Sequence, residues 1–209
     1  MEIMQGKRTV VLSANAFAAR VNAYGAIHLD IGTGDGRYVV HHATKHPHRF
    51  VIGLDACREN LVDRSRNAPD NALFVIANAE QLPVMLHGMA SSVTVNFPWG
   101  SLLDGLLDIT SPVLDGIAAA CLPGALVEVR LNGGALAEAG WSLKDGAQQV
   151  RDSLADAGFD MLRTVDLDAA ALRGVSTSWA KRLAFGRNPH GIHLTGMAHA
   201  RVRAAYARP

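Results

Sequence analysis

Two cysteines among 209 residues, Cys57 and Cys121, are too few for a disulfide framework, and neither sits in a paired-thiol motif. Both are expected to be buried thiols. No apolar run approaches the length needed to cross a bilayer. The opening Met1-Glu2-Ile3-Met4-Gln5-Gly6-Lys7-Arg8 carries no apolar stretch ending in a small-residue cleavage site. No membrane association is expected, and the cytoplasm is the default location. Acidic residues are missing after Asp168, while Arg173, Lys181, Arg182, Arg187, Arg201, Arg203 and Arg208 all follow it. The near-neutral formal charge of +1 therefore hides a basic C-terminal end. Such an end suits an anionic partner; the alternative is a solvated face balanced by acids elsewhere in the fold. His41, His42, His46 and His48 have no thiol or carboxylate cluster beside them, and their spacing suits a surface helix end, so no metal site is expected.

What is present is globular. Hydrophobic residues make up 49% and charged residues 19%, and the length predicts a single domain over 1–209 with one substantial core. There is no repeat or low-complexity tract. Short apolar runs alternate with amphipathic stretches, which reads as α/β. Arg8 to Leu12 is a short strand, and Ser13 is an N-cap for a helix to about Tyr24, making 1–25 an N-terminal extension. Ala26 to Ile31, Phe50 to Asp55, Leu73 to Ala77, Val93 to Phe97 and Ala125 to Leu131 are core strands, separated by helical patterns such as Arg58 to Asn67 and Pro112 to Ala120. Their continuous apolarity predicts cover on both faces, as in a parallel doubly wound sheet. Lys144 to Ala157 reads as a helix ending at Gly158. Met161 to Val165 and Ile192 to Ala198 complete seven strands, and the long connection 172–190 before the last of them marks a functional segment.

The first core strand runs into Asp30-Ile31-Gly32-Thr33-Gly34-Asp35-Gly36-Arg37, a glycine-rich turn opening a helix. A dinucleotide-binding turn has a third glycine where Arg37 stands. The turn instead resembles the first motif of class I methyltransferases, whose ligand, S-adenosylmethionine, carries no phosphate. That ligand needs close backbone approach, which Gly32 and Gly34 offer, and an acid for its cationic amino group, which Asp30 offers. Asp55 ends the next strand about twenty residues on, where a carboxylate can accept from both ribose hydroxyls. Ala79 and Glu80 follow the third strand, where this class reads the adenine ring.

After the fourth strand comes Asn96-Phe97-Pro98-Trp99-Gly100-Ser101, where class I enzymes place the group that meets the substrate. It is similar to the Asn-Pro-Pro-aromatic motif of amino-methyltransferases, with Phe97 in the first proline position. The connection before the last strand reads Thr177-Ser178-Trp179-Ala180-Lys181-Arg182-Leu183-Ala184-Phe185-Gly186-Arg187. Taken with the glycine-rich turn and the opening Gly6-Lys7-Arg8-Thr9-Val10, the chain resembles, up to about Gly196, the aminoglycoside-resistance methyltransferases that modify N1 of adenine 1408 in 16S rRNA.

The resemblance implies a Rossmann-like seven-stranded, mostly parallel sheet with an antiparallel last strand, and a short N-terminal β extension. It implies S-adenosylmethionine bound by Asp30, Gly32, Gly34, Asp55, Ala79, Glu80, Asn96, Ser101 and Thr177. Trp99 and Trp179 would stack on a flipped adenine; Lys7, Arg8, Lys181, Arg182, Arg187, Arg201 and Arg203 would hold RNA. The implied partner is 16S rRNA within the small ribosomal subunit, with no obligate protein partner, and the implied consequence is aminoglycoside resistance. Two departures stand out: the short, weakly basic connection between Leu61 and Leu73, and Asn188-Pro189-His190 where a further basic residue is expected. Three other readings stay open: a small-molecule methyltransferase, exocyclic N6 methylation, and an RNA-binding module with a vestigial cofactor pocket.

Overall fold

A computed structural model describes residues 1–199 of the chain. Among these the strands are β1 (Glu2–Gln5), β2 (Arg8–Val11), β3 (Ala26–Ile31), β4 (Arg49–Asp55), β5 (Ala72–Ile76), β6 (Ala90–Asn96), β7 (Cys121–Asn132), β8 (Phe159–Leu167) and β9 (Gly191–Ala198). The helices are α1 (Ala14–Val21), α2 (Arg37–Lys45), α3 (Arg58–Arg66), α4 (Gly100–Leu107), α5 (Pro112–Ala120), α6 (Gly133–Glu138), α7 (Leu143–Asp156), α8 (Ala169–Gly174) and α9 (Ser178–Ala184). Local signals start these helices where they do. Ser13, Ser111, Ser142, Asp168 and Thr177 each accept a backbone N–H of the first turn, and Pro112 occupies the first helical position of α5.

All nine strands join one sheet in the order β2-β1-β5-β4-β3-β6-β7-β9-β8. The expected seven strands are thus nine. The extension, expected as a single strand, is a hairpin that pairs Glu2 with Val11 and adds to the edge of β5 through Ile3 and Val75. The turn at Gly6, which adopts φ +60, makes this possible. Strands β3 to β7 run parallel, whereas β9 is antiparallel to both β7 and β8, as expected for the last strand. None of the helices among the described residues is long and apolar enough to cross a membrane.

The two faces of the sheet differ. One buries a continuous apolar core that includes Leu29, Ile52, Val93, Val95, Val127 and Val129, packed with side chains of α1, α4, α5 and α7. The other has a smaller apolar cluster around Val39, Val51, Leu61 and Phe74. Over β3 and β6 that second face is polar, with His28, Asp30, Ser92, Thr94 and Asn96 all buried. Strands covered on both faces need not be apolar on both. Two side-chain readings are corrected as well. Cys57 is exposed, because it precedes α3 at a strand-to-helix corner, and only Cys121 is buried. His42 is drawn inward to stack on His28 at 4.2 Å, since α2 lays that side on the polar face of β3, while His41, His46 and His48 are exposed.

Candidate functional site

The strand order reverses where β3 lies between β4 and β6, and in such sheets ligands bind at the carboxyl ends of the strands beside that point. A cavity of about 520 Å³ lies there, within the roughly 300–1,000 Å³ typical of small-molecule sites. Its wall holds Asp30, Gly32, Gly34, Asp55, Ala79, Asn96, Trp99, Ser101, Thr177, Trp179 and Arg182 from the sequence reading. Glu80 is not part of that wall. Asn78 caps the one-turn 3-10 helix Ala79–Gln81 by accepting the Glu80 N–H at 3.0 Å, and Asn78, with Ala79, lines the cavity while Glu80 is exposed.

Asp30 is the buried acid of the site, 1% exposed. Its Oδ1 accepts from Thr94 Oγ1 at 2.6 Å and from Asn96 Nδ2 at 2.8 Å. The Asn96 carbonyl oxygen in turn accepts from the Arg130 guanidinium at 2.8 Å, and Arg130 pairs with Glu128 at 2.9 Å. His193 Nε2 stands 2.9 Å from the same Glu128 carboxylate. On the other side Thr94 spends its only hydroxyl proton on Asp30, so the 3.1 Å contact with His28 Nε2 has the imidazole donating, and Ser92 then donates to Nδ1 at 2.8 Å. Burial pushes the Asp30 carboxyl up to about 6, against the lowering pull of hydrogen bonds from Thr33, Thr94 and Asn96 and of the Arg130 charge. Burial likewise drives His28 down to about 3, so it is neutral. The His193 hydrogen bond and the Arg130 charge hold Glu128 down at about 2, against the opposing effect of its burial.

Asp55 braces the glycine-rich turn. Its Oδ2 accepts the Gly34 N–H at 2.7 Å, and its Oδ1 accepts from Cys57 N at 2.9 Å and Asn60 Nδ2 at 3.3 Å. Each carboxylate oxygen has two lone pairs, so capacity remains for a ligand hydroxyl on Oδ2. Gly32 and Gly34 adopt φ +70 and +57. A Cβ on Gly32 would stand 2.4 Å from Leu102 Cδ2, so both backbone and space require glycine there.

At the opposite end of the cavity β6 turns out of the sheet through Phe97, the only described non-glycine residue with positive φ, at +53. A left-handed backbone costs a bulky residue about 1–2 kcal/mol. Trp99 follows at the start of α4, and Trp179 comes from α9, whose first turn is capped by Thr177 accepting Ala180 N at 2.9 Å. Ser178 donates to Asp35 of the glycine-rich turn at 2.5 Å, joining α9 to that turn across 143 positions of sequence. The two indoles stack on one another, with ring centroids 5.2 Å apart and planes inclined by 28°. They are 36% and 39% exposed, so neither is a core residue.

The Arg182 guanidinium lies 5.2 Å from the Trp179 ring centre, within cation–π reach. Arg182, Arg187 and Asn188 also line a second cavity of about 390 Å³ on the α9 side, together with Trp179. Lys181 is exposed on α9; Lys7 and Arg8 are exposed on the β1–β2 hairpin at the far edge of the sheet. Neither hairpin residue shares a cavity wall with the indoles. Arg201 and Arg203 lie outside the described residues.

The cavity suits S-adenosylmethionine on two counts. Asp30 presents a buried carboxyl for a cationic amino group, and Asp55 Oδ2, also in the wall, keeps a lone pair for a ribose hydroxyl beside the Gly34 N–H. A profile of the 16S rRNA (adenine(1408)-N(1))-methyltransferases, NpmA, matches residues 2–198. The chain belongs to this family. An enzyme of that description from Escherichia coli is 30% identical over 217 residues, covering 94% of this chain and 98% of its own length. One from Streptoalloteichus hindustanus is 32% identical at the same coverage. Among solved structures, the 16S rRNA methyltransferase KamB superposes with a TM-score of 0.86 at 32% identity, covering 95% of this chain and all of its own. A tryptophan-to-alanine mutant of the 16S rRNA (adenine(1408)-N(1))-methyltransferase from Catenulisporales acidiphilia, solved with S-adenosylmethionine, gives 0.83 at 27% identity over 95% of this chain and 97% of its own. As a member of the 16S rRNA (adenine(1408)-N(1))-methyltransferases, the chain is a methyl-transfer enzyme whose methyl donor is S-adenosylmethionine.

Sequence reasoning missed Thr33, Tyr38, Asn60, Asn78 and Arg130. Arg130 left a signal. Glu128 and Arg130 alternate with Val127, Val129 and Leu131 at period two, the mark of a strand with one polar face. The other four have no distinguishing spacing.

Proposed function

We propose that the enzyme transfers a methyl group from S-adenosylmethionine to ring N1 of adenine 1408 in the 16S rRNA of the assembled small ribosomal subunit, with the adenine flipped out and held between Trp99 and Trp179. In this reading residues 1–209 are one domain, with 1–25 its N-terminal extension and 172–190 its target-recognition connection. The observation that carries it is the pair of half-exposed indoles, drawn from α4 and α9, at the mouth of the cavity that Asp30 and Asp55 define. An enzyme acting on a base must first unstack it, and stacking on aromatic side chains returns roughly 1–3 kcal/mol per base. A base between the rings needs about 6.8 Å, twice the roughly 3.4 Å rise of a stacked strand, so the indoles must part by about 1.6 Å from their present 5.2 Å.

The cofactor supplies an electrophilic methyl group on a sulfonium centre. Asp30 would hold its amino group, Asp55 and Asn60 its ribose, and Asn78 and Ala79 its adenine. Adenine N1 is neutral near pH 7 with its lone pair in the ring plane, so attack needs no general base, and no side chain is assigned one. Orientation does the work, which can contribute roughly 7–11 kcal/mol in favourable cases. The methylated base is cationic, and the faces of Trp99 and Trp179 stabilise that charge as it develops. Lys181, Arg182 and Arg187 neutralise phosphates beside the clamp, with Lys7, Arg8, Arg201 and Arg203 as further contacts. A methylated, cationic N1 removes an acceptor from the decoding site, and resistance to aminoglycosides that use it follows.

The test is primer extension on 16S rRNA from cells expressing the chain. An N1 methyl group blocks the pairing edge and gives a reverse-transcription stop at adenine 1408. Read-through with label incorporated at that base would mean N6 methylation instead. Ribosomal RNA without any label would end the reading in favour of a small-molecule substrate.

A further inference from the structure

Phe97 is unusual in two ways that point to one role. It holds a left-handed backbone that L side chains avoid, and its ring, 2% exposed, belongs to neither core flanking the sheet. It packs instead in a separate cluster with Leu167 at the end of β8, Leu172 of α8, and Ala180 and Ala184 of α9. Ala180 directly follows Trp179, and Phe97 lies two residues before Trp99. Among the described residues Phe97 is the only buried member of that cluster from the β6 end of the cavity. Its N–H donates to the Arg130 carbonyl at 2.7 Å, so the strained turn is pinned to the sheet on one side while its ring supports α9 on the other.

We propose that Phe97 is a positioning residue that sets the relative placement of the two indoles, its strained turn aiming Trp99 and its ring seating the helix that carries Trp179. Proline, the residue at this point of the related amino-methyltransferase motif, cannot adopt positive φ and has no N–H to give Arg130. The departure from that motif therefore has a structural purpose. The proposal rests on the clamp reading above for its consequence in catalysis, but not for its effect on the indole pair.

Closely stacked indoles produce an exciton couplet in far-ultraviolet circular dichroism, which reads the pair without any substrate. Phe97→Gly removes the ring and relieves the strain; Phe97→Leu keeps apolar bulk. The glycine variant should lose the couplet and slow rRNA methylation by roughly a hundredfold, the scale of a misplacement of about 1 Å, while its S-adenosylmethionine affinity by calorimetry stays within about twofold of the parent. The leucine variant should keep part of the couplet and of the rate together. A couplet and rate unchanged in Phe97→Gly would overturn the proposal. So would loss of cofactor binding in both variants, which would make Phe97 an ordinary core residue. Failure of the clamp reading has a different signature: Trp99→Ala and Trp179→Ala would then methylate rRNA normally, even though Phe97→Gly still abolished the couplet.

Discussion

Beside the glycine-rich turn Asp30 is held by a run of polar contacts that crosses four strands, from His28 on β3 through Thr94 and Asn96 on β6 and Arg130 and Glu128 on β7 to His193 on β9. At the target end two half-exposed indoles lean on each other above a cluster of five buried side chains. The first arrangement fixes one oxygen of one carboxylate and leaves it little freedom. In the second, both rings are partly exposed to solvent. A small cofactor bound in one geometry rewards preorganisation, whereas in the proposed reading a base that swings out of an RNA helix needs a receptor that yields and then closes.

The largest expected effect separates the two ends directly. Trp99→Ala and Trp179→Ala should each reduce the rate of rRNA methylation by roughly ten- to a hundredfold, the equivalent of about 1–3 kcal/mol of lost stacking. Cofactor affinity should stay near that of the parent. Calorimetry showing parallel loss of S-adenosylmethionine binding would make the rings part of the cofactor wall and dissolve the comparison.

Asp30→Asn should have the reverse profile. The buried carboxyl is raised from 3.8 to about 6, so its ionised form is disfavoured in the folded protein. Relief of that cost predicts a gain of about 2–3 kcal/mol in stability at neutral pH, while loss of a charge-assisted contact weakens cofactor binding by roughly ten- to a hundredfold. For the parent, binding needs the carboxylate, so affinity should hold above about pH 6 and decline below it. Urea titration together with calorimetry over that interval checks both halves. A variant that is no more stable than its parent would show that the hydrogen bonds to Oδ1 already offset the burial.

Next in size is the acid side of the stability curve. His28 is lowered from 6.5 to about 3 and His42 to about 4, chiefly by burial. The folded protein therefore refuses protons that the unfolded chain takes up. Their contribution is intact above 6.5 and is lost as pH falls from there toward the folded values, and for His28 alone that is roughly 2 kcal/mol at about pH 5. Asp30 acts in the opposite direction, because a raised carboxyl favours the folded state as pH falls through 6. The net expectation is a lower urea midpoint at pH 5 than at pH 7, with a shallower slope in His42→Leu.

Much of this was legible in the sequence, for identifiable reasons. The parallel strands showed as apolar runs, helix starts as Ser13, Ser111 and Asp168, and two acids of the cavity wall as Asp30 and Asp55 at strand ends, because backbone geometry ties those residue types to those positions. The β1–β2 hairpin was half seen, since Glu2–Gln5 is too short and too mixed to announce a strand. The polar face of the sheet was hidden because one apolar face was enough to make each run read as apolar. Glu80 was placed by analogy where the local cap, Asn78, decides the outcome. The approach of Trp99 to Trp179 is a tertiary fact, brought about by Phe97 and by a hydrogen bond between residues 143 apart.

That hydrogen bond offers the finest probe of how far the two ends are joined. Ser178 donates to Asp35 at 2.5 Å in an exposed setting, where one such bond is worth about 0.5–1.5 kcal/mol. Ser178→Ala should leave folding intact and lower both cofactor affinity and methylation rate by no more than about tenfold. If the clasp transmits cofactor binding to α9, the far-ultraviolet couplet of the indoles should sharpen on S-adenosylmethionine addition in the parent and respond less in the variant. Equal responses in the two proteins would show that the indole pair closes without instruction from the glycine-rich turn, leaving Phe97 as the link that orders it.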